Sequence, residues 1–227
     1  MKYIIVALLC VFALNAFAER YSLSREEIRR MGVDSWIKYC QDKGGILSEV
    51  DEDEAYRTFA DAQKSYNEKQ LSKLDRDDRN RLKKYKKLFT DFRLQILDIE
   101  SLRNGGGSMF GHMAERGSAY DELLMEKLIK LNEKSNHFNP VFQAQKAAKL
   151  VRQIENRLEK SKNINSDEEK ALEFMAGSKS NGKKLLLKEI KKATGNFEEM
   201  CGFLKGRPAS ERLLILDFYW SHSKPLN

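Results

Sequence analysis

Apolar side chains recur along most of this chain at intervals of three and four residues, the spacing that gathers them on one face of an α-helix. Ser24 with Glu27 three positions on has the form of a capping box. It predicts a helix carrying Ile28, Val33, Trp36, Ile37 and Cys40 and ending at Gly44-Gly45. From Leu71 the stripe continues through Leu74, Leu82, Tyr85, Phe89, Phe92, Ile96 and Ile99 without losing phase. That continuity predicts one long helix from about Glu54 to Arg103, kinked at most near Asp75. Asn104-Gly105-Gly106-Gly107-Ser108 stops it, because three glycines hold a helix poorly. A second rod follows from about Met109 to Lys134, with Phe110, Met113, Gly117, Tyr120, Leu124, Leu128 and Leu131 on one side. So short a connection predicts an antiparallel hairpin.

The rest of the chain reads the same way. Asn139-Pro140 opens a helix with Ala144, Ala147, Val151, Ile154 and Leu158 on its apolar side. Ser166 with Glu169 forms a second capping-box pattern ahead of Leu172 and Phe174. Gly177 to Gly182 reads as a loop, Lys183 to Ala193 as a short helix, and Phe197 to Leu204 as a further turn or two after Gly195-Asn196. Arg207-Pro208 introduces a last helix whose run from Leu213 to Trp220 is apolar on nearly every side, which predicts burial around Asp217. The fold class expected is all-α: a helical bundle built around the long hairpin with its Gly-rich connection.

Residues 1–18 break this amphipathic pattern. Lys2, the apolar run from Tyr3 to Leu14 and the small residues Ala16 and Ala18 match a secretory signal peptide cleaved before Glu19. The expected location is therefore secreted or periplasmic, with no transmembrane segment once the signal is removed. Residues 19–227 then form a single α-helical domain, with a weak subdomain boundary at 161–165. Cys10 leaves with the signal, and the remaining Cys40 and Cys201 are expected to pair as a disulfide in an oxidising compartment. Such a bridge would close a loop of about 160 residues and contribute roughly 5 kcal/mol by chain-entropy reasoning.

The chain has 41 Lys and Arg against 34 Asp and Glu. Residues 64–93 hold eleven of the cations and five of the anions. There Lys69, Lys73, Arg76, Arg79, Lys83 and Lys87 point away from the apolar stripe and form a basic face. That face suits an anionic envelope or glycan surface, or is an ordinary solvated side diluted by Asp75, Asp77 and Asp78. No aromatic residues alternate with its charges, and export disfavours nucleic acid as a partner.

The more specific constellation surrounds the Gly-rich turn. Arg103 falls on the apolar stripe with Glu100 beside it, and His112 and Arg116 share a face of the next rod with Glu115 adjacent. Gly105, Gly106 and Gly107 let backbone approach a ligand closely, and the following helix N-terminus favours negative charge. This arrangement points to an anion held by Arg103, Gly105, Gly106, Gly107, His112 and Arg116, supported by Glu100 and by Asp217 of the last helix. The same residues would serve equally as a clasp, Arg103 pairing with Glu115 or Glu100 with Arg116. A hydrolase using His112 and Glu115 is the alternative function. It lacks a Gly-x-Ser-x-Gly elbow around Ser108 or Ser118. The turn lacks the Gly-Lys-Ser/Thr ending of a nucleotide loop, and Glu133 with His137 is too small a metal set. No cofactor is implied. The reading is thus an exported binding module for an anionic ligand or a protein partner, the third alternative being a structural, envelope-associated protein.

Overall fold

The computed structural model describes residues 23–44, 49–133 and 140–222. Residues 1–18, expected to be a signal peptide, and His137 and Asn139 lie outside them. Nine α-helices and no strand occur among the described residues. In order they are α1 (Arg25–Met31), α2 (Val33–Gly44), α3 (Glu49–Leu71), α4 (Arg76–Arg103), α5 (Ser108–Glu133), α6 (Pro140–Lys160), α7 (Ser166–Ala176), α8 (Lys179–Leu204) and α9 (Ala209–His222). None is long and apolar enough to cross a membrane. The chain divides into two compact units: residues 1–74 with 115–123, and residues 75–114 with 124–227.

In the first unit α1, α2 and α3 pack on one another. The Ser24–Glu27 capping box forms as the sequence implied, each side chain reaching the other's backbone amide. Gly32, at φ 78°, then separates α1 from α2, so one predicted helix becomes two. Its apolar residues still converge, and Ile28, Trp36, Cys40, Ala55, Phe59 and Ala119 are wholly buried. The Trp36 indole N–H donates to the Ala55 carbonyl at 2.8 Å, satisfying the one polar atom of that ring. Beyond this core the interior turns polar. Gln63 donates to Asn67 at 3.1 Å, and Asn67 donates to the carbonyl and carboxylate of Glu122 at 2.8 and 2.9 Å. These groups are all buried, so the bonds offset a desolvation penalty that would otherwise disfavour the fold.

The second unit is held by aromatic packing. Helix α4 meets α7, α8 and α9, while α6 meets α8 and α9. Phe92 contacts Tyr219 at 4.3 Å between ring centroids, Phe89 contacts Phe218 at 4.9 Å, and Tyr85 contacts Phe203 edge-on at 5.2 Å. Tyr219 remains satisfied by donating to Asn196 at 3.1 Å. Arg81 pairs with the buried carboxylate of Glu211 at 3.3 Å. Arg93 donates to the Ala114 carbonyl at 3.1 Å, a side-chain tie from α4 to the first turns of α5, although these two helices are not among the pairs that pack extensively as the expected hairpin would.

Several expectations are corrected. The long helix is two, because the chain turns at Ser72–Leu74 and Asp75 caps α4 by accepting from the Asp78 amide at 2.8 Å. The interruption from Ser72 to Asp75 is close to one helical turn, which is why the apolar phase survives it. Helix α7 is capped one residue earlier than Ser166: Asn165 accepts from the amides of Asp167 and Glu168, and Glu168 reaches back. Gly182 and Gly195 lie inside the single helix α8 rather than between shorter ones. At Gly182 the reason is packing, since an added Cβ would stand 2.4 Å from the Leu172 carbonyl oxygen. The disulfide does not form among the described residues. Cys40 lies in the core of the first unit, and Cys201 belongs to α8 of the second. Burial pushes the Cys201 thiol up to about 11, away from the thiolate needed for exchange.

Candidate functional site

At the Gly-rich turn Gly105, Gly106 and Gly107 take φ values of 75°, 80° and 135°, a run that side chains would strain. Their close approach is made to α7. A Cβ on Gly105 would rest 3.8 Å from Ala171 and Phe174, and one on Gly106 would strike the Met175 sulfur at 2.7 Å. The turn thus seats the end of α4 on a neighbouring helix.

Arg103, the last residue of α4, is 7% exposed. One Nη donates to the carbonyls of Ser161 at 2.5 Å and Asn163 at 3.0 Å, and Nε lies 3.5 Å from Glu168. It therefore binds the 161–165 connection. Glu100 is half-buried with one carboxylate oxygen enclosed and unbonded. Burial, with Glu168 nearby, pushes its carboxyl up to about 7 against the opposing pull of Arg103. His112 is half-buried on α5. Glu115 and Arg116 find their partners in the first unit: Glu115 with Arg57 at 3.6 Å, Arg116 with Glu52 at 3.3 Å and Asp53 at 4.0 Å. Ser118 donates to the Glu115 carbonyl at 2.6 Å, which occupies the hydroxyl nearest the His112–Glu115 pair in sequence. The two arginines of the expected anion site thus have separate sets of partners. No metal-holding cluster of three or more His, Cys, Asp or Glu occurs among the described residues.

The basic face is divided by the break before α4. Lys69 and Lys73 belong to the first unit; Arg76, Arg79, Lys83 and Lys87 belong to the second. Lys69, Lys73, Arg76, Lys83 and Lys87 are exposed.

Arg103 also lines a groove of about 720 Å³ with Asn156, Arg157, Lys160, Glu168 and Trp220. Arg157 is the distinctive member. Its guanidinium carbon stands 3.5 Å from the Trp220 ring centroid, a cation–π stack that fixes the plane of the fork. One Nη is withdrawn from solvent and makes no hydrogen bond. Among the described residues no carboxylate pairs with Arg157. Desolvation lowers its affinity for the proton, the direction expected of a cation lacking an anion. Lys160 stands exposed at the rim, and the amides of Asn156, Asn163 and Asn165 complete the polar wall. An enclosed N–H on an oriented guanidinium can take a carboxylate or phosphate oxygen, and stacking keeps it in place beforehand.

Sequence reading reached Arg103 here but missed Arg157, Lys160 and Trp220. Arg157 and Lys160 look like ordinary cations in the last turn of an amphipathic helix, and Trp220 like the end of an apolar run. The groove joins four separated stretches of chain, so no local spacing could announce it. Asp217 proves exposed rather than buried: on α9 it shares a face with Leu213 and Trp220, whereas Ile215, Leu216, Phe218 and Tyr219 face the core. No family model matches the chain, and neither a curated protein nor a solved structure matches it.

Proposed function

We propose that this is an exported helical binding protein whose second unit takes a small anion, a carboxylate or phosphate, in the groove of Arg103, Arg157, Lys160 and Trp220. The observation that carries this reading is the Arg157 fork, stacked at 3.5 Å on Trp220 with an enclosed Nη hydrogen unbonded. An enclosed, unbonded N–H also occurs at Arg103 Nε and Arg212 Nε, but Arg103 is held by two carbonyls and Glu168 and Arg81 by Glu211, whereas no carboxylate pairs with Arg157 among the described residues. A buried donor left unsatisfied costs about 1–3 kcal/mol, and an incoming anion would recover it. Export rests on residues 1–18, and the mature chain isolated from its host should begin at Glu19.

The test is a thermal titration of the full-length mature protein with inorganic phosphate and with acetate. The wild type should melt higher as either anion is added. Arg157→Gln should keep the helical circular dichroism and lose the rise, while Arg157→Lys should retain only part of it, because a point charge cannot replace the fork. A wild type indifferent to both anions, or an Arg157→Gln variant that responds like the wild type, overturns the reading.

A further inference from the structure

The groove is half of a longer seam. On α6, residues Gln143, Lys146, Leu150, Gln153, Arg157 and Lys160 follow alternating steps of three and four, so they form one continuous helical stripe. On α9 the stripe is Ser210, Leu213, Asp217 and Trp220, with Leu214 beside it. The first part of this seam is a second groove of about 520 Å³, walled by Leu131, Leu150, Leu213 and Leu214 and rimmed by Lys146, Lys149 and Asp217. Gln153 lines both grooves. From Lys146 to Arg157 the α6 stripe rises about 16 Å at 1.5 Å per residue.

Resting on the anion-binding reading above, we infer that the seam binds one monomeric amphipathic anion, a long-chain carboxylate, with its head at Arg157 and Trp220 and its alkyl chain along the leucine walls. Polarity is graded along the seam in the manner such a molecule requires. The unbonded guanidinium lies at one end, and four leucines from three helices lie at the other. An alkyl chain asks no hydrogen bonds of those walls. A peptide laid there would bring backbone amides against helices whose own amides and carbonyls are already paired. Lys146 and Lys149 outnumber Asp217 on the rim, so the net local charge also favours an anion.

Calorimetric titration of the wild type with acetate, hexanoate, octanoate and dodecanoate, each below its micelle point, tests this. Affinity should climb about twofold to fourfold per added methylene, fourfold corresponding to complete burial of each group. Leu213→Asn should flatten that dependence while keeping the response to acetate and phosphate. Ser210→Phe, which fills the second groove from its edge without touching the leucine core, should shorten the longest chain accepted. Phosphate binding with no dependence on chain length overturns the amphipathic inference and leaves the anion site standing. Dodecanol binding as tightly as dodecanoate, with phosphate inert, overturns the anion site itself. Capture only by anionic phospholipid vesicles, or displacement of dodecanoate by an amphipathic helical peptide but not by octanoate, also overturns the inference.

Discussion

The two units solve the same problem with different materials. The first carries a short core of Ile28, Trp36, Phe59 and several alanines, then continues inward with Asp53, Gln63, Asn67, Asp121 and Glu122. The second concentrates Tyr85, Phe89, Phe92, Phe197 and Tyr219 in its interior, with Arg93, Arg103 and Glu211 as its buried charged groups. Aromatic packing is bulky, shape-dependent and insensitive to pH. A buried amide–carboxylate chain contributes less net stability, and each of its members matters because a bereft partner stays desolvated. The lesson is that helical periodicity alone does not reveal which kind of interior a helix faces.

The largest test of that contrast is Phe92→Ala. Removing a ring wedged between Phe197 and Tyr219 should cost the second unit about 4 kcal/mol, read from its urea midpoint at unchanged helix content. Gly182→Ala comes next, at about 2–3 kcal/mol, because the methyl group must push α8 off the Leu172 backbone. In the first unit Asn67→Ala should cost about 2 kcal/mol by stripping Glu122 of its buried donor. A loss at Asn67→Ala as large as that at Phe92→Ala would erase the distinction between the units.

A smaller effect concerns Glu100. Its native carboxyl titrates near 7, above its unfolded value of 4.5, so the native chain keeps a proton that the unfolded chain releases between those limits. Stability from this group is therefore present below about pH 4.5 and is lost as pH rises toward and past 7. Glu100→Gln should flatten this fall, a gain on the order of 1 kcal/mol at about pH 8 once solvent screening is allowed for. The smallest effect expected is none: a reducing agent should leave the melting temperature unchanged, since Cys40 and Cys201 are both thiols.

Much of the helical layout was legible. The Ser24–Glu27 box, the stop at Asn104 and the start at Pro140 all occur where local chemistry put them. Three features escaped for physical reasons. The break before Arg76 keeps the apolar phase because it spans about one turn. Gly182 resembles a loop residue until Leu172 is seen pressed against it. Phe174 continues an apolar pattern yet is 82% exposed, because its partners are settled by tertiary packing and not by spacing. At the site Arg103 was found by its position on the stripe, but the stacked Arg157 could not be, since Trp220 lies 63 positions further along the chain.

The placement of the two tryptophans has a practical consequence. Trp36 is sealed within the first unit, while Trp220 lies beneath a guanidinium in the second. Each unit therefore carries its own intrinsic fluorophore, and a Trp36→Phe protein would emit from the groove alone. Its spectrum would register occupancy and unfolding of that unit directly, without any attached dye.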